Sequence, residues 1–354
     1  MNTFSDPYIR FAFLAGAVAI GLTLLLVVLI IGLRLKMRAS VDEEAAFVAR
    51  WRPVMLEVIS EGTPKVPKRL RPGEHIYFLK LWNYLQESLR GPASERLNRL
   101  ARKVGGDVMA RKLLSKGNRA ERLLATLTLG HLRDEASWDA LAAQTSQADS
   151  LASVHAARAL LKINPLKGTE LLLPLILSRK DWDITQIAHF LAEAKQAFWL
   201  VLSKRITTIS RTRWTRALQL ADALNLQIPL ASMQYMLLNC RSPDILATAV
   251  HSAGDRELLP VIRQFMTHGD GRVRAEVAVF LGRFGDEDDS LRLQVMLEDD
   301  EWWVRYRAAQ ALAGSPLFGV DRLTALRQQT SEPAITSILD HVLAEYQSAN
   351  AATP

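Results

Sequence analysis

Asp270-Gly-Arg-Val-Arg-Ala-Glu-Val-Ala-Val-Phe-Leu-Gly-Arg-Phe-Gly-Asp286 and Glu301-Trp-Trp-Val-Arg-Tyr-Arg-Ala-Ala-Gln-Ala-Leu-Ala-Gly314 are one pattern written twice. Val273 aligns with Val304, Arg274 with Arg305, Ala278 with Ala309 and Leu281 with Leu312, always 31 residues apart. In each copy apolar residues occupy the first, fifth, eighth and ninth places, which share one face of a helix. An acid or amide ahead of the helix can accept a backbone N–H bond and cap it. Small residues at several inward places let a neighbouring helix approach. A Gly-Asp turn follows Phe284, then a second, leucine-rich stretch begins near Asp289.

The pattern recurs outward from these two copies. Asp149 to Leu160 fits with Ala152 in the Val273 place, and Asn118 to Asp134 fits with Glu121 there. Looser copies start near Ile184, Arg213 and Ser242, and a last one at Ile335. The anchors 121, 152, 184, 213, 242, 273, 304 and 335 stand 29 to 32 residues apart. So steady a period over more than half of a 354-residue chain predicts stacked units, each a helical pair that cannot bury its apolar face alone. No alternating valine–isoleucine runs suggest a sheet. The expected class is therefore all-α, an α-solenoid.

The Val-Arg-x-x-(Ala/Val)-Ala-x-(Ala/Phe)-Leu string followed by glycine resembles the HEAT and phycobilisome-lyase-like HEAT repeats. Val273 to Gly285 and Val304 to Gly314 carry it best, and the resemblance extends over about residues 90–345. Copies between 184 and 250 lack the Val-Arg pair. The resemblance implies that Arg274 and Arg305 bridge to acids in neighbouring repeats, with Asp270 and Asp286 as structural caps. It says little about activity.

Ahead of the repeats, Phe11 to Leu33 holds no charge. As a helix, 23 residues reach roughly 34 Å, enough for a hydrocarbon layer of ~30 Å. A cleaved signal peptide is the rival reading, but the start carries Asp6 and Arg10, and the run ends in Arg34, Lys36 and Arg38 like a stop-transfer flank. Those cations place the following domain on the cytoplasmic side by the positive-inside tendency. Small residues spaced by four (Ala12 and Gly16, Ala15 and Ala19, Ala17 and Gly21) suit either a neighbouring helix or plain lipid. Next, Val41 to Arg52 reads as a helix capped by Ser40 and ended at Pro53. A proline-rich linker, Glu61 to Gly73, carries Lys65, Lys68, Arg69 and Arg71. With the juxtamembrane cations these form a candidate lipid-facing set. Glu74 to Arg90 is an aromatic-rich helix. The expected layout is thus a short outer N-terminus (1–10), a transmembrane helix (11–33), a basic connector (34–73), capping helices (74–117), the repeat array (118–346) and a disordered tail (347–354).

Charge sorts along the same boundaries. From Arg34 to Arg122 there are 20 basic and 10 acidic residues; from Leu123 onward there are 23 basic and 26 acidic. A near-neutral repeat region argues against nucleic acid as the partner. A single cysteine, Cys240, excludes an internal disulfide. Phosphate loops, Cys-x-x-Cys and His-Glu-x-x-His are absent from the sequence, so no catalytic residue, metal or cofactor is expected. HEAT-like hydroxylases carry His-Glu dipeptides, and none occurs in this chain. Partner-binding candidates are Trp302, Trp303 and Tyr306, beside the acids 298–301, and the cluster around Arg213 and Trp214. Adjacent residues in a helix point ~100° apart, so Trp302 and Trp303 cannot easily both be buried. The competing reading for the pair is packing onto the preceding repeat; for the Arg213 cluster it is a solvated helix end. The function expected is a membrane-anchored scaffold that holds a protein partner, such as an accessory subunit in envelope polysaccharide synthesis or secretion. The alternatives are a HEAT-like lyase or metal-dependent hydroxylase, and a sensor of anionic lipid surfaces.

Overall fold

The computed structural model describes residues 7–351 apart from 63, 65, 67–69 and 72; side chains at 7–10, 12–15, 17, 19, 33, 35–37, 39, 40 and 349–351 fall outside the description. Among the described residues every regular element is helical. The chain divides into two compact units, residues 1–141 and 142–354.

In the first unit, α1 (Pro7–Ile59) runs without interruption. The expected start at Ser40 and break at Pro53 are therefore corrected. A proline inside a helix costs ~3 kcal/mol. Pro53 is exposed, while Phe47, Trp51 and Met55 around it are buried. Each such burial is worth ~1.5–3 kcal/mol, so packing outweighs the break. Helix α1 packs on α2 (Glu74–Ser88) and α3 (Pro92–Lys103), with the Phe47 ring 6.1 Å from Tyr77. The Trp51 ring stands edge-on to Phe78 at 5.4 Å. Trp82, fully buried, donates Nε1–H to the Leu97 carbonyl at 2.9 Å. Then follow α4 (Gly106–Lys116) and α5 (Arg119–Leu132), the latter opened by a capping box between Asn118 and Glu121. The run Phe11–Leu33 lies within α1, but several of its side chains are outside the description. Among the described residues no helix is long and apolar enough to cross a membrane.

Helix α5 packs against α2 and α4 inside the first unit. Helix α6 (Trp138–Thr145) straddles the division. The second unit is a succession of helical pairs: α7 (Ser150–Ile163) with α8 (Pro165–Ser178), α9 (Ile184–Leu191) with α10 (Lys195–Arg205), and α11 (Trp214–Ala223) with α12 (Leu230–Asn239). These lead to α13 (Pro243–His251) with the short α14 (Leu259–Ile262), α15 (Gly271–Phe284) with α16 (Glu287–Met296), α17 (Trp302–Gly314) with α18 (Gly319–Gln329), and a closing α19 (Pro333–Ala351). The expected tail from 347 is helical to Ala351; residues 352–354 lie outside the described set.

The anchors 152, 184, 213, 242, 273, 304 and 335 all fall within the first turn or the cap of an odd-numbered helix from α7 to α19. Odd helices pack side by side: α7 on α9, α9 on α11, α11 on α13, α13 on α15, α15 on α17, α17 on α19. The side chains of Asp149, Asp183 and Asp270 each accept a backbone N–H and cap α7, α9 and α15. The middle helices lack the Val-Arg signature and are shorter, 8 residues in α9 against 14 in α15. Gly282 marks the tightest seam. A Cβ there would lie 2.7 Å from the Ala311 Cβ and 2.9 Å from its Cα, so α15 and α17 touch backbone to backbone.

Candidate partner-binding surface

At the start of α17, Val304 is fully buried and points the first turn inward. The ~100° step per residue then turns Trp302 and Trp303 outward. They are 49% and 46% exposed. Both rings stack on Tyr306: Trp302 at 5.2 Å with planes 7° apart, Trp303 at 5.4 Å and 30°. Tyr306 is only 9% exposed, so it is the pedestal under the indoles rather than a third surface anchor. Its hydroxyl sits 2.8 Å from Glu345 Oε1 on α19, to which it donates. Gln310 Nε2 donates to the same hydroxyl at 2.6 Å. Burial, with the Glu345 carboxylate beside it, pushes the Tyr306 phenol above its usual range. The Tyr306 hydrogen bond in turn holds Glu345 below the ordinary glutamate range. The Arg307 guanidinium lies 5.0 Å over the Trp303 ring and donates Nη1–H to Gln310 Oε1 at 3.1 Å.

Two grooves flank this platform. One, of about 550 Å³, runs across α11, α13, α15 and the Trp303 edge of α17. In it Arg272 pairs with Asp244, His251 Nδ1 lies 3.0 Å from Glu276, and Asp222 accepts from the Ser252 hydroxyl at 2.8 Å. The other, of about 460 Å³, lies between the later turns of α15 and α17 and is lined by Val279, Arg283, Phe284, Arg307, Gln310 and Pro316.

The second aromatic–basic cluster is not a surface. Trp214 is 1% exposed, donates to the Ile206 carbonyl at 2.9 Å, and meets Tyr235 edge-on. It is core, which removes it as a partner anchor. Arg213 is half-buried in a short 3-10 turn, and the exposed aromatic beside Trp214 is Tyr235. Arg216 reaches back to the carbonyls of Ile176 and Trp182 and ties adjacent pairs together. Nothing in the pattern around Arg216 separates it from a solvated arginine.

The matched arginines part company. Arg274 forks onto Asp299, Nε and Nη2 each at 2.7 Å, and donates to the His268 carbonyl. Arg305 finds no carboxylate; its Nη1 donates to the carbonyls of Asp299 and Asp300. The ion pair implied for Arg305 is thus replaced by a loop clamp, because Asp299 is already taken by Arg274. Asp270 caps α15 and holds Arg272, which also reaches Asp244 one repeat back. Asp286 caps α16 and meets Arg263 of the preceding pair. The residue missed by sequence is Asp289. Fully buried, it accepts from Arg263 Nε at 2.9 Å and Nη2 at 2.6 Å, and from Arg292 Nη1 at 3.0 Å. As the third residue of α16 it also completes the capping box with Asp286.

Of the lipid-facing candidates, Arg34, Arg38 and Arg71 are exposed; the Lys36 side chain and Lys65, Lys68 and Arg69 lie outside the described residues. Among the described residues no three His, Cys, Asp or Glu side chains gather as metal ligands.

Residues 233–313 match the family profile of HEAT repeats. No curated protein matches the chain. Among solved structures, an engineered protein is 18% identical, with 76% of this chain and 84% of that one covered at a TM-score of 0.34. Human deoxyhypusine hydroxylase in complex with glycerol is 14% identical, with 88% and 99% covered at a TM-score of 0.27.

Proposed function

We infer that this chain is a non-catalytic scaffold of helical repeats that holds a protein partner on the α17 aromatic platform. The observation that carries this is two adjacent tryptophans, each about half exposed, on a buried tyrosine base. Exposed indoles held rigid by stacking lose little conformational freedom on docking, which is why tryptophan is enriched among residues that dominate interfaces. A monomer that only needed stability would gain by turning one of them inward.

The scaffold is read as anchored by Phe11–Leu33, with its repeats cytoplasmic. Supporting this, residues 20–32 are consecutive, uncharged and exposed on every face of α1. A helix apolar all round belongs in a core or a bilayer. The flank of Arg34, Lys36 and Arg38 supports the orientation. In its narrower form the reading is an accessory subunit of a membrane assembly, of the envelope-polysaccharide or secretion kind.

The test is photo-crosslinking in native membranes from a benzoylphenylalanine placed at Trp302. One reproducible protein adduct is expected, lost on Trp303→Ala and absent when the probe replaces the exposed Arg256. Adducts that are equally heavy from both positions, or none at all, contradict the scaffold reading.

A further inference from the structure

Within the second unit, several arginines near α15 and α17 are engaged by the chain itself. Arg263, Arg272, Arg274 and Arg327 each fork onto or touch a carboxylate, and Arg305 clamps backbone carbonyls. Arg283 and Arg307 differ from these neighbours and together line one groove. Among the described residues neither guanidinium has a carboxylate within ion-pair distance. Each instead lies over an aromatic ring, Arg283 at 5.0 Å from Phe284 and Arg307 at 5.0 Å from Trp303. Stacking of this kind fixes the guanidinium plane, so that the N–H groups not already bonded within the chain are held in a set direction for an acceptor. The Arg307 Nε is buried without any hydrogen-bond partner. Glu345, the nearest acid in this network, is occupied by Tyr306 and Gln310, and Gln310 turns its oxygen to Arg307. The amide thus keeps the carboxylate from neutralising the guanidinium. Between the two arginines the groove is apolar, with Val279, Ala311 and Pro316 along it, and at about 460 Å³ it is of ligand-binding size.

We propose that this groove receives an acidic peptide segment of the partner, whose carboxylates pair with Arg283 and Arg307 while its apolar side chains enter between α15 and α17. This rests on the scaffold reading and names the partner's chemistry. The charge pattern favours a peptide over a nucleic acid: a polyanion would meet a region carrying 26 acids against 23 bases from Leu123 onward, whereas a short acidic segment needs only two guanidiniums.

The experiment uses the full chain in lipid nanodiscs. The probe is a short peptide of alternating glutamate and leucine with one benzoylphenylalanine, and adducts are mapped by mass spectrometry. Adducts on α15 and α17 are expected. Arg283→Gln/Arg307→Gln should lower their yield roughly ten-fold or more for each charge-assisted contact removed. Arg211→Gln/Arg256→Gln, an equal charge change at two exposed residues, should leave the yield unchanged. Both substituted residues lack carboxylate partners, so the variants should fold, and unchanged circular dichroism checks this. Four results would overturn the proposal: a glutamine-for-glutamate peptide that labels as well; adducts confined to residues 34–122; yields indifferent to the double variant; or stronger competition by oligothymidine than by the acidic peptide. Crosslinking from position 302 in membranes separates the two readings. An adduct that survives Arg283→Gln/Arg307→Gln but not Trp303→Ala sinks the acidic chemistry and leaves the scaffold standing. No adduct in any variant sinks both.

Discussion

Gly282→Ala sets two opposite effects against each other at the seam between α15 and α17. In an exposed helix the change would stabilise by ~1 kcal/mol, because glycine has the greater backbone freedom to lose. Here the added methyl would sit 2.7 Å from the Ala311 Cβ, 2.9 Å from its Cα and 3.0 Å from its carbonyl oxygen. Carbon atoms rest at ~3.5–4.0 Å, so the overlap approaches 1 Å. None of the three atoms can rotate away, since all belong to backbone or to an alanine. The helices must part, and over-packing of this kind typically costs ~1–3 kcal/mol before lost contacts are counted. Parting also loosens Val273, Val277, Leu281, Ala308 and Leu312, all buried beside the seam. The net expectation is destabilisation by about 2–3 kcal/mol, the propensity gain being the smaller quantity. Thermal unfolding of the full chain in nanodiscs, followed by far-ultraviolet circular dichroism, reads it. Adding Ala311→Gly removes only the 2.7 Å contact, so the double variant should recover part of the loss, not all. A Gly282→Ala protein as stable as the parent, or more so, refutes backbone contact between neighbouring repeats.

Other outcomes follow from the same geometry. Asp289→Asn should destabilise by about 2–3 kcal/mol, since it weakens the fork to Arg263 and half of the α16 capping box; hydrogen exchange should quicken first at residues 287–290. Glu345 has a folded pKa below its ordinary value, so its contribution is present above ~4.3 and is lost as pH falls through the lowered value. Tyr306→Phe removes the largest of the contacts that lower this pKa, so the acid-side step in tryptophan fluorescence should move toward higher pH; a step that does not move assigns it elsewhere. Replacing Arg34, Lys36 and Arg38 by glutamine should scramble the orientation of a C-terminal reporter fusion, and a chain truncated to begin at Val41 should leave the membrane fraction; retention there contradicts the anchor.

What the sequence made legible was whatever is decided locally. Capping aspartates, the apolar 3.6-residue rhythm and the Gly-Asp turns each act within one or two turns of chain, so the anchors could be placed to within a turn, even in the divergent middle copies. What stayed hidden depended on contacts made elsewhere. Pro53 signals a break, but Phe47, Trp51 and Met55 are buried where α1 packs on α2 and α3, and burial of that size outweighs the cost of the proline. Arg274 and Arg305 are identical in the repeat, yet a single Asp299 serves one of them. Trp214 and Trp303 both sit beside arginine near a helix start. One is core and the other surface. Asp289 reads as one acid among three at the start of α16; its burial shows only once Arg263 of the preceding pair arrives.

Hydrogen–deuterium exchange on the chain in native-membrane nanodiscs, with its co-purified partner and after stripping, addresses the binding face most directly. The amides of Trp302 and Trp303 precede the Val304 and Arg305 N–H groups that bond to the Glu301 carbonyl, and they should exchange fast when the surface is free. Partner-dependent protection is expected at residues 302–307 and along the facing turns of α15. Protection confined to the even-numbered helices, or no change between the two states, contradicts the account.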